Sequence, residues 1–452
     1  MSKFLSLAVM CSLAFPAMAL AQDDVVAEEV EVEVVEVETV ETTAKPAKPA
    51  IEDVASPKVA ADDMEAEYAG EAGDEASPFL DGLSWQLMAS AFYNFNGYRV
   101  SGDYNDLVPD PVARATYPYT NYMGFGLNFA GGDVMYTGEK FALRLDLRWG
   151  TAASALTPLA PVKQAYASYL PHEKISLDFG FFDTIYGAEV VDEWENANYT
   201  RGALYFLRQP FNHLGVRMGT EMTDIAGFTL MLTNGSVFGG TPIDDNQVPA
   251  VGWQFGFSPD GQKSVRRRGL REGYREVGVF FGGNHAPNGL NENRDWNSFF
   301  DIVLSLNFDW FTLLFNGDYF VDGNDVDFDG NRATMFQYGH SLALIFDIHD
   351  HWGIGLRGEH LSGNKQYRDF GGPVNPDLSF GFLWTGTLTL RYKPVEYLVL
   401  SLEGRFEGAG EDIYFSRSSP VFTDPVTMEE VIQPNKKFYG ALILGVTAHI
   451  GN

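Results

Sequence analysis

Apolar and polar residues alternate with a period of two over most of the chain after residue 81, and this pattern restricts the fold more than any other feature. In the stretch 141–149, the odd positions carry Phe, Leu, Leu, Leu and Trp, while the even positions include Arg144, Asp146 and Arg148. Successive side chains of a β-strand point to opposite faces. The stretch therefore predicts a strand with one wholly apolar face and one charged face.

The same alternation predicts sixteen strands, near 84–98, 121–130, 140–150, 163–170, 174–182, 212–221, 226–234, 250–258, 276–283, 298–308, 310–321, 334–348, 352–361, 379–393, 397–406 and 438–450. Short turns, as at 171–173 and 349–351, alternate with long connections, as at 99–120, 183–211 and 407–437; the basic stretch between 258 and 276 is the exception. Outer-membrane barrels alternate their connections in this way, whereas a soluble sandwich has no reason to. We predict an all-β fold, a transmembrane antiparallel up-and-down β-barrel of about 16 strands, within a range of 14–18.

The first 81 residues differ from the rest in composition. Lys3, the apolar run 4–13 and the small residues around Ala19 are typical of a secretory signal peptide over 1–21. Residues 23–81 then carry 19 acidic and 3 basic side chains. Such a stretch cannot bury a core, so we predict a disordered, acidic linker over 22–81 that lies in the periplasm, with the barrel over 82–452. A docking tail for a basic partner is the alternative for this linker.

Charge and cysteine content exclude several classes of protein. The formal net charge is −30, and phosphate contacts need clustered Lys and Arg, so nucleic acid is not an expected partner. The single cysteine, Cys11, cannot form an intrachain disulfide or a cysteine-based zinc site. The sequence also lacks the G-x-S-x-G, phosphate-loop and H-E-x-x-H motifs, so no catalytic residue is predicted.

Five stretches between residues 178 and 217 resemble a known family. They are DFGFFD at 178–183, YGAE at 186–189, EW at 193–194, NANYTR at 196–201 and QPFNHLGVR at 209–217. Together they look like the OmpL-like β-barrel porins. The resemblance implies a Gram-negative outer-membrane porin without catalytic residues. The chain departs from many outer-membrane barrels in ending with Asn452 rather than a C-terminal aromatic residue.

A barrel of sixteen strands leaves an aqueous lumen, which would let small hydrophilic solutes diffuse across the outer membrane. The charged side chains of the polar faces are the pore-lining candidates: Arg144, Asp146, Arg148, Asp178, Arg217, Asp301, Asp318, Arg357, Glu359, Arg391, Glu403 and Arg405. Because residues 82–452 carry a net charge of −15, the channel is expected to prefer cations modestly. Outer-membrane lipid surrounds such a barrel, and homotrimers are common among sixteen-stranded porins.

The connection 183–211 is long, aromatic and mixed in charge, so we predict that it folds inward and constricts the pore; an ordinary surface loop is the alternative. Its charged candidates are Asp183, Glu189, Asp192, Glu193, Glu195, Arg201 and Arg208. No cofactor is expected. One stretch matches the first half of a calcium loop, because its carboxylates alternate before a glycine; its candidate ligands are Asp325, Asp327 and Asp329.

Two other classes of function fit an outer-membrane barrel. A lipase-like enzyme would use serine and histidine at the lipid-facing rim, where His340 and His360 occupy positions on the apolar face. An envelope tether or adhesin would use the linker and the loops, and would not conduct ions. Bilayer conductance separates both from a porin.

Overall fold

The computed structural model describes residues 82–96, 124–153, 159–235, 248–258, 277–287, 296–308, 310–326, 332–363, 382–412, 414, 420–423, 430–432 and 435–451. The predicted signal peptide and linker lie outside these residues. Sixteen antiparallel strands close into one barrel, which confirms the predicted fold class and strand number. Within the described parts of the chain, no helix combines the length and the apolar character needed to cross a bilayer.

The described residues form eighteen strands, of which β16 and β17 pair with each other outside the barrel. The strands are β1 Leu83–Asn96, β2 Gly124–Thr137, β3 Phe141–Trp149, β4 Val162–His172, β5 Ile175–Asp183, β6 Asn212–Glu221, β7 Ala226–Thr233, β8 Ala250–Phe257, β9 Gly278–Pro287, β10 Trp296–Phe308, β11 Phe311–Val326, β12 Arg332–His349, β13 Trp352–Gly363, β14 Phe382–Val395, β15 Leu398–Ala409, β16 Val421–Thr423, β17 Glu430–Ile432 and β18 Phe438–Gly451.

Each barrel strand pairs with its neighbour along the chain, and β18 bonds to both β15 and β1. The closing pair runs in register from Gln86 opposite Gly451 to Asn96 opposite Ala441. The beginning of β1 and the end of β18 therefore lie at the same end of the barrel as the short turns. The long connections lie at the other end, except the one between β8 and β9, which joins strand ends at the short-turn end.

The two faces of β3 show how the sequence pattern determines the wall. Phe141, Leu143, Leu145 and Trp149 are exposed on the outside, whereas the alternate side chains are buried on the inside. The outer side chains have only lipid to cover them, because the barrel has no second sheet. The alternation that the sequence shows is therefore the alternation between lipid and lumen.

Strand β2 extends farther than the alternation predicts, to Thr137 instead of residue 130. Two adjacent glycines, Gly131 and Gly132, interrupt the apolar pattern there, although the backbone continues as a strand. A Cβ atom at Gly131 would lie 1.9 Å from the carbonyl oxygen of Leu147 on β3. Glycine thus permits the close approach of two strands at this point, which a pattern of side chains cannot reveal.

Candidate functional site: the interior of the barrel

All twelve predicted pore-lining residues lie on the inner face of the wall. Eleven are buried, and Arg391 is half-buried. Their burial has a visible cause. The connection between β5 and β6, residues 184–211, enters the barrel and contacts the wall near the middle of the strands. We call this connection the inner segment; it includes a 3-10 turn at Glu193–Glu195 and one short helix, α1 Ala203–Arg208.

The first part of the inner segment contacts the wall formed by β8 to β11. The side-chain amide of Gln254 donates to the carbonyl of Ile185 at 2.5 Å, and the hydroxyl of Tyr186 donates to the carbonyl of Gly283 at 2.6 Å. The amide of Gly187 then donates to an oxygen of Asp301 at 3.2 Å. The next amide, that of residue 188, donates to the side chain of residue 316 on β11. Residues 185–188 thus contact four consecutive strands of the wall.

The carboxylate of Glu359 on β13 caps the N-terminus of α1. It accepts the amides of Ala203 and Leu204, both at 3.0 Å. The amide of Gly202 donates to Glu189 at 2.7 Å. The first amides of a helix have no partners within the helix, and an anion there also meets the positive end of the helix dipole. A wall carboxylate therefore has a structural task in holding the inner segment.

Glu403 on β15 is the second carboxylate with this task. It accepts the amide of Tyr199 at 2.7 Å, the amide of Thr200 at 3.2 Å, and the hydroxyls of Thr200 and Thr389. The guanidinium of Arg405 binds the same stretch, since it donates to the hydroxyl of Thr200 at 3.1 Å. Hydrogen bonds to a charged group are stronger than neutral ones, so Glu403 is a strong anchor for the inner segment.

A cluster of buried charges ties the 3-10 turn to the opposite wall. Arg148 on β3 lies between Asp192 of the inner segment, at 2.8 Å, and Asp133 of β2, at 2.5 Å. Lys163 on β4 donates to Asp192 at 2.7 Å and lies 3.3 Å from Asp183. Although burial opposes it, the two cations hold the pKa of Asp192 well below its usual range. Asp192 therefore remains ionised at neutral pH.

Further contacts continue around the wall. Arg357 on β13 pairs with Glu189 at 2.5 Å, and the hydroxyl of Thr447 on β18 donates to Glu193 at 2.8 Å. The hydroxyl of Tyr199 bonds to Ser90 on β1 at 3.0 Å. Together with the contacts to β3, β4, β8–β11 and β15, these reach most of the circumference.

The charged residues predicted in the inner segment differ in what they do. Asp183 is the last residue of β5, and Asp192, Glu189 and Glu193 bind the wall. Arg201 lies 3.8 Å from Glu193, and both arginines of the segment are buried, at 0% and 3% exposure for residues 201 and 208. Glu195 is only half-buried. Burial and the charge of Asp192 raise the pKa of Glu195 to about 8.

Sequence reasoning missed several residues of this interior. Lys163 and Asp133 lie in the charge cluster, while Tyr186, Tyr199 and Thr389 bond across the lumen. The position of Lys163 at a strand end did carry a signal, since a charge beside a predicted inner face is a candidate for the lumen. The tyrosines carried none, because the sequence does not show which rings of a loop turn inward.

The predicted calcium ligands cannot be placed. Asp327 and Asp329 lie outside the described residues, as does the side chain of Asp325, whose backbone pairs with Ala333 at the end of β11. Among the residues that the structure does describe, no group of three or more His, Cys, Asp or Glu side chains could hold a metal ion. The calcium loop stays a prediction.

Comparison with known proteins identifies the family. The family described as "Putative beta-barrel porin-2, OmpL-like" matches residues 82–429, which is most of the barrel. The chain belongs to this family of OmpL-like porins. The match covers the five stretches that suggested the resemblance, and it extends to strands and loops with no recognisable motif. No curated protein matches the sequence.

Solved porins share the fold of this OmpL-like porin at low identity. The outer-membrane channel DcaP of Acinetobacter baumannii is 9% identical with a TM-score of 0.50, and the match covers 81% of this chain and 96% of that one. The anion-selective porin of Comamonas acidovorans is 7% identical with a TM-score of 0.51, with 81% and 99% covered. At these identities the similarity concerns the fold of the barrel alone.

Proposed function

We propose that this OmpL-like porin is a non-enzymatic channel through which small hydrophilic solutes diffuse passively across the outer membrane. The observation that carries the proposal is the family match over a closed sixteen-stranded barrel with an apolar outside and a charged inside. Lipid covers the outer face, and the charged inner face is the one surface that water-soluble solutes would meet. The short-turn end would face the periplasm, together with the linker 22–81.

Three further properties belong to the proposal. The net charge of −15 on residues 82–452 supports a modest preference for cations. The inward position of the inner segment supports its role as the constriction of the channel. A homotrimer is the proposed assembly, and cross-linking of the protein in native outer membranes tests it.

Planar-bilayer recordings of the refolded chain test the channel, and heat-modifiable migration on a denaturing gel checks that the barrel has formed. Discrete conductance steps, with a reversal potential on the cation side in a salt gradient, are expected. A folded barrel that gives no steps, even after deletion of residues 190–205, would contradict the proposal. Deleting these residues should raise the single-channel conductance if they constrict the channel; an unchanged conductance argues against the constriction.

A lipase-like enzyme is the second candidate, and the structure gives it little support. His340 faces outward on β12, opposite His360 on β13, and its hydrogen-bond partner is the hydroxyl of Tyr319 at 3.0 Å. A catalytic histidine needs a serine nucleophile and an orienting carboxylate instead. Hydrolysis of a chromogenic ester by the refolded protein would support a lipase-like role for these histidines.

A further inference from the structure

The inner wall is closed to water at the level of the inner segment. A side chain that lines a water-filled pore keeps part of its surface exposed, yet the wall residues that surround the segment are almost fully buried. Asp301, Asp318, Glu403 and Arg405 are at most 1% exposed, as is Arg148 on the opposite side of the barrel. In this structure, therefore, the wall residues that contact the segment do not line an open path.

The wall near the short turns differs in part from this closed level. Tyr166, Asn307, Asp347, Lys393 and His449 point inward closer to those turns, and all five are half-exposed. Trp194 and Glu195 of the inner segment are also half-exposed. Other inward side chains near the short turns are buried, since Ser176 and Thr312 are 6% and 1% exposed, so the closed part of the lumen extends beyond the level that the segment crosses.

The inner segment is built as one unit with a narrow base. Its ends are tied together, because the amide of Thr184 donates to the carbonyl of Phe211 at 3.0 Å and the side-chain amide of Gln209 donates to the carbonyl of Tyr186. Inside it, Asn196 bonds to both the amide and the carbonyl of Val190, at 2.9 and 2.7 Å. Loops with joined ends and internal bonds keep their own shape. Such a unit can leave its seat without unfolding or opening the β5–β6 pair.

The segment is seated by apolar packing, in which Tyr199 and Leu204 cluster with Phe92 and Leu361 of the wall, and by ionic or charge-assisted contacts. The polar contacts include Asp192 with Arg148 and Lys163, and the amides around Thr200 with Glu403. These polar contacts join the segment to wall side chains, and breaking them needs no rearrangement of the barrel. A closure held in this way is reversible.

We propose that the inner segment is a gate, closed in this structure, and that solutes pass only when residues 187–208 leave their seat while the Thr184–Phe211 base stays bonded. The gate rests on the proposed channel function. It goes beyond a fixed constriction, because a constriction leaves an open path at all times, whereas a gate makes conduction depend on a movement. Arg148, Lys163 and Asp192 hold the gate closed, and we call these three residues the latch. They are positioning residues, because they affect the passage of solutes only by holding the segment in its seat.

A disulfide across the seat tests the movement directly. The side-chain amide of Asn198 donates to the hydroxyl of Thr389 on β14 at 2.7 Å, so cysteines at these two positions face each other across the seat, and thiol titration confirms the disulfide in the oxidised double variant. The only natural cysteine, Cys11, lies in the predicted signal peptide, so the background is free of thiols. The double variant N198C/T389C is recorded in planar bilayers when oxidised and after reduction, with both single variants as controls. Gel migration confirms a folded barrel in each case.

The gate predicts loss of conductance in the oxidised double variant and its return on reduction, whereas both single variants conduct at wild-type unit conductance in either condition. Equal conductance before and after reduction would overturn the gate and leave the channel function intact. If no variant conducts, including one that lacks residues 190–205, the channel function itself fails. The two proposals are thus refuted by different results.

A second measurement tests the latch. Asp192→Asn removes one charge from the contact between segment and wall, whereas Asp178→Asn removes one from the pair with Arg217, at 2.9 Å, which joins two wall strands. Both carboxylates are buried on the inside. We expect D192N to have a larger open fraction with an unchanged unit conductance. We expect D178N to show no change in the open fraction. An equal change in both variants, or in neither, would refute the latch.

Discussion

Replacing Glu403 by Gln should release the inner segment from the wall while the barrel stays folded. A glutamine offers one acceptor oxygen in place of the carboxylate, and its amide end can only donate. Glu403 accepts the amide of Tyr199 on one oxygen, at 2.7 Å, and the amide and hydroxyl of Thr200 on the other. At least two charge-assisted hydrogen bonds are therefore lost, each contributing about 1.5 kcal/mol or more.

The loss weakens the seating of the segment by about 3 kcal/mol. Since each 1.4 kcal/mol is a factor of ten in an equilibrium, the population of the detached segment should rise about 100-fold. Arg201 and Arg208 report on that population, because they are trypsin sites with exposures of 0% and 3%. When reclosing is faster than cleavage, the cleavage rate follows the open population.

Limited trypsin digestion, followed by mass spectrometry of the fragments, measures this rate. Cleavage after Arg201 or Arg208 should be about 100-fold faster in E403Q than in wild type. The matched control is Asp178→Asn, which also removes a buried charge from the inner wall, although Asp178 bonds to Arg217 and Ser168 instead of the segment. Equal cleavage of both variants, or cleavage at wild-type rate in E403Q, would refute the anchoring role of Glu403.

Three other changes test different parts of the account. Glu195→Gln should abolish a rise of the open fraction with pH up to about 8 in planar-bilayer recordings. Burial raises the pKa of Glu195 in the seated segment, so loss of its proton weakens the seat, and the exposed turn variant Glu173→Gln should keep the rise. Gly131→Ala should lower the yield of folded barrel on heat-modifiability gels, since its Cβ would lie 1.9 Å from a carbonyl oxygen, whereas Gly358→Ala, with no atom within 4 Å, should fold normally. Leu145→Lys, on the lipid face, should cost about 2–4 kcal/mol in urea titrations of the barrel refolded in vesicles; a smaller loss would place this residue away from the bilayer centre.

The fold could be predicted because apolar and polar residues alternate with a period of two in strands that lipid covers on one face. The stretch 141–149 alternates without a break, and its strand, β3, was predicted at 140–150 and lies at Phe141–Trp149. Gly131 and Gly132 interrupt this alternation, so the strand predicted from the sequence was shorter than β2. The hairpin β16–β17 was missed as well, because strands of three residues are too short to show a period.

The sequence predicted which side chains face the interior of the barrel, but not which residues they contact there. Parity along a strand assigns Arg357, Glu359 and Glu403 to the inner face, and the structure places them there. Their partners are amides and side chains of the inner segment, more than 150 residues away in sequence for the bond between Glu359 and Ala203. Alternation carries no information about such pairs. The sequence predicted that these carboxylates face water, whereas in the structure they accept hydrogen bonds from the inner segment.

The pairing of β18 with β1 has a consequence for the biogenesis of the protein. Ala89 pairs with Ala448, so the closing contact joins nearly the two extremes of the barrel sequence. Until the final strand has left the export machinery, the sheet has two unpaired edges that can bind other chains. The loss of entropy on joining such distant segments also makes this the slowest kind of contact to form. A chaperone that shields the β1 edge during transit would therefore protect the chain for the whole interval before closure.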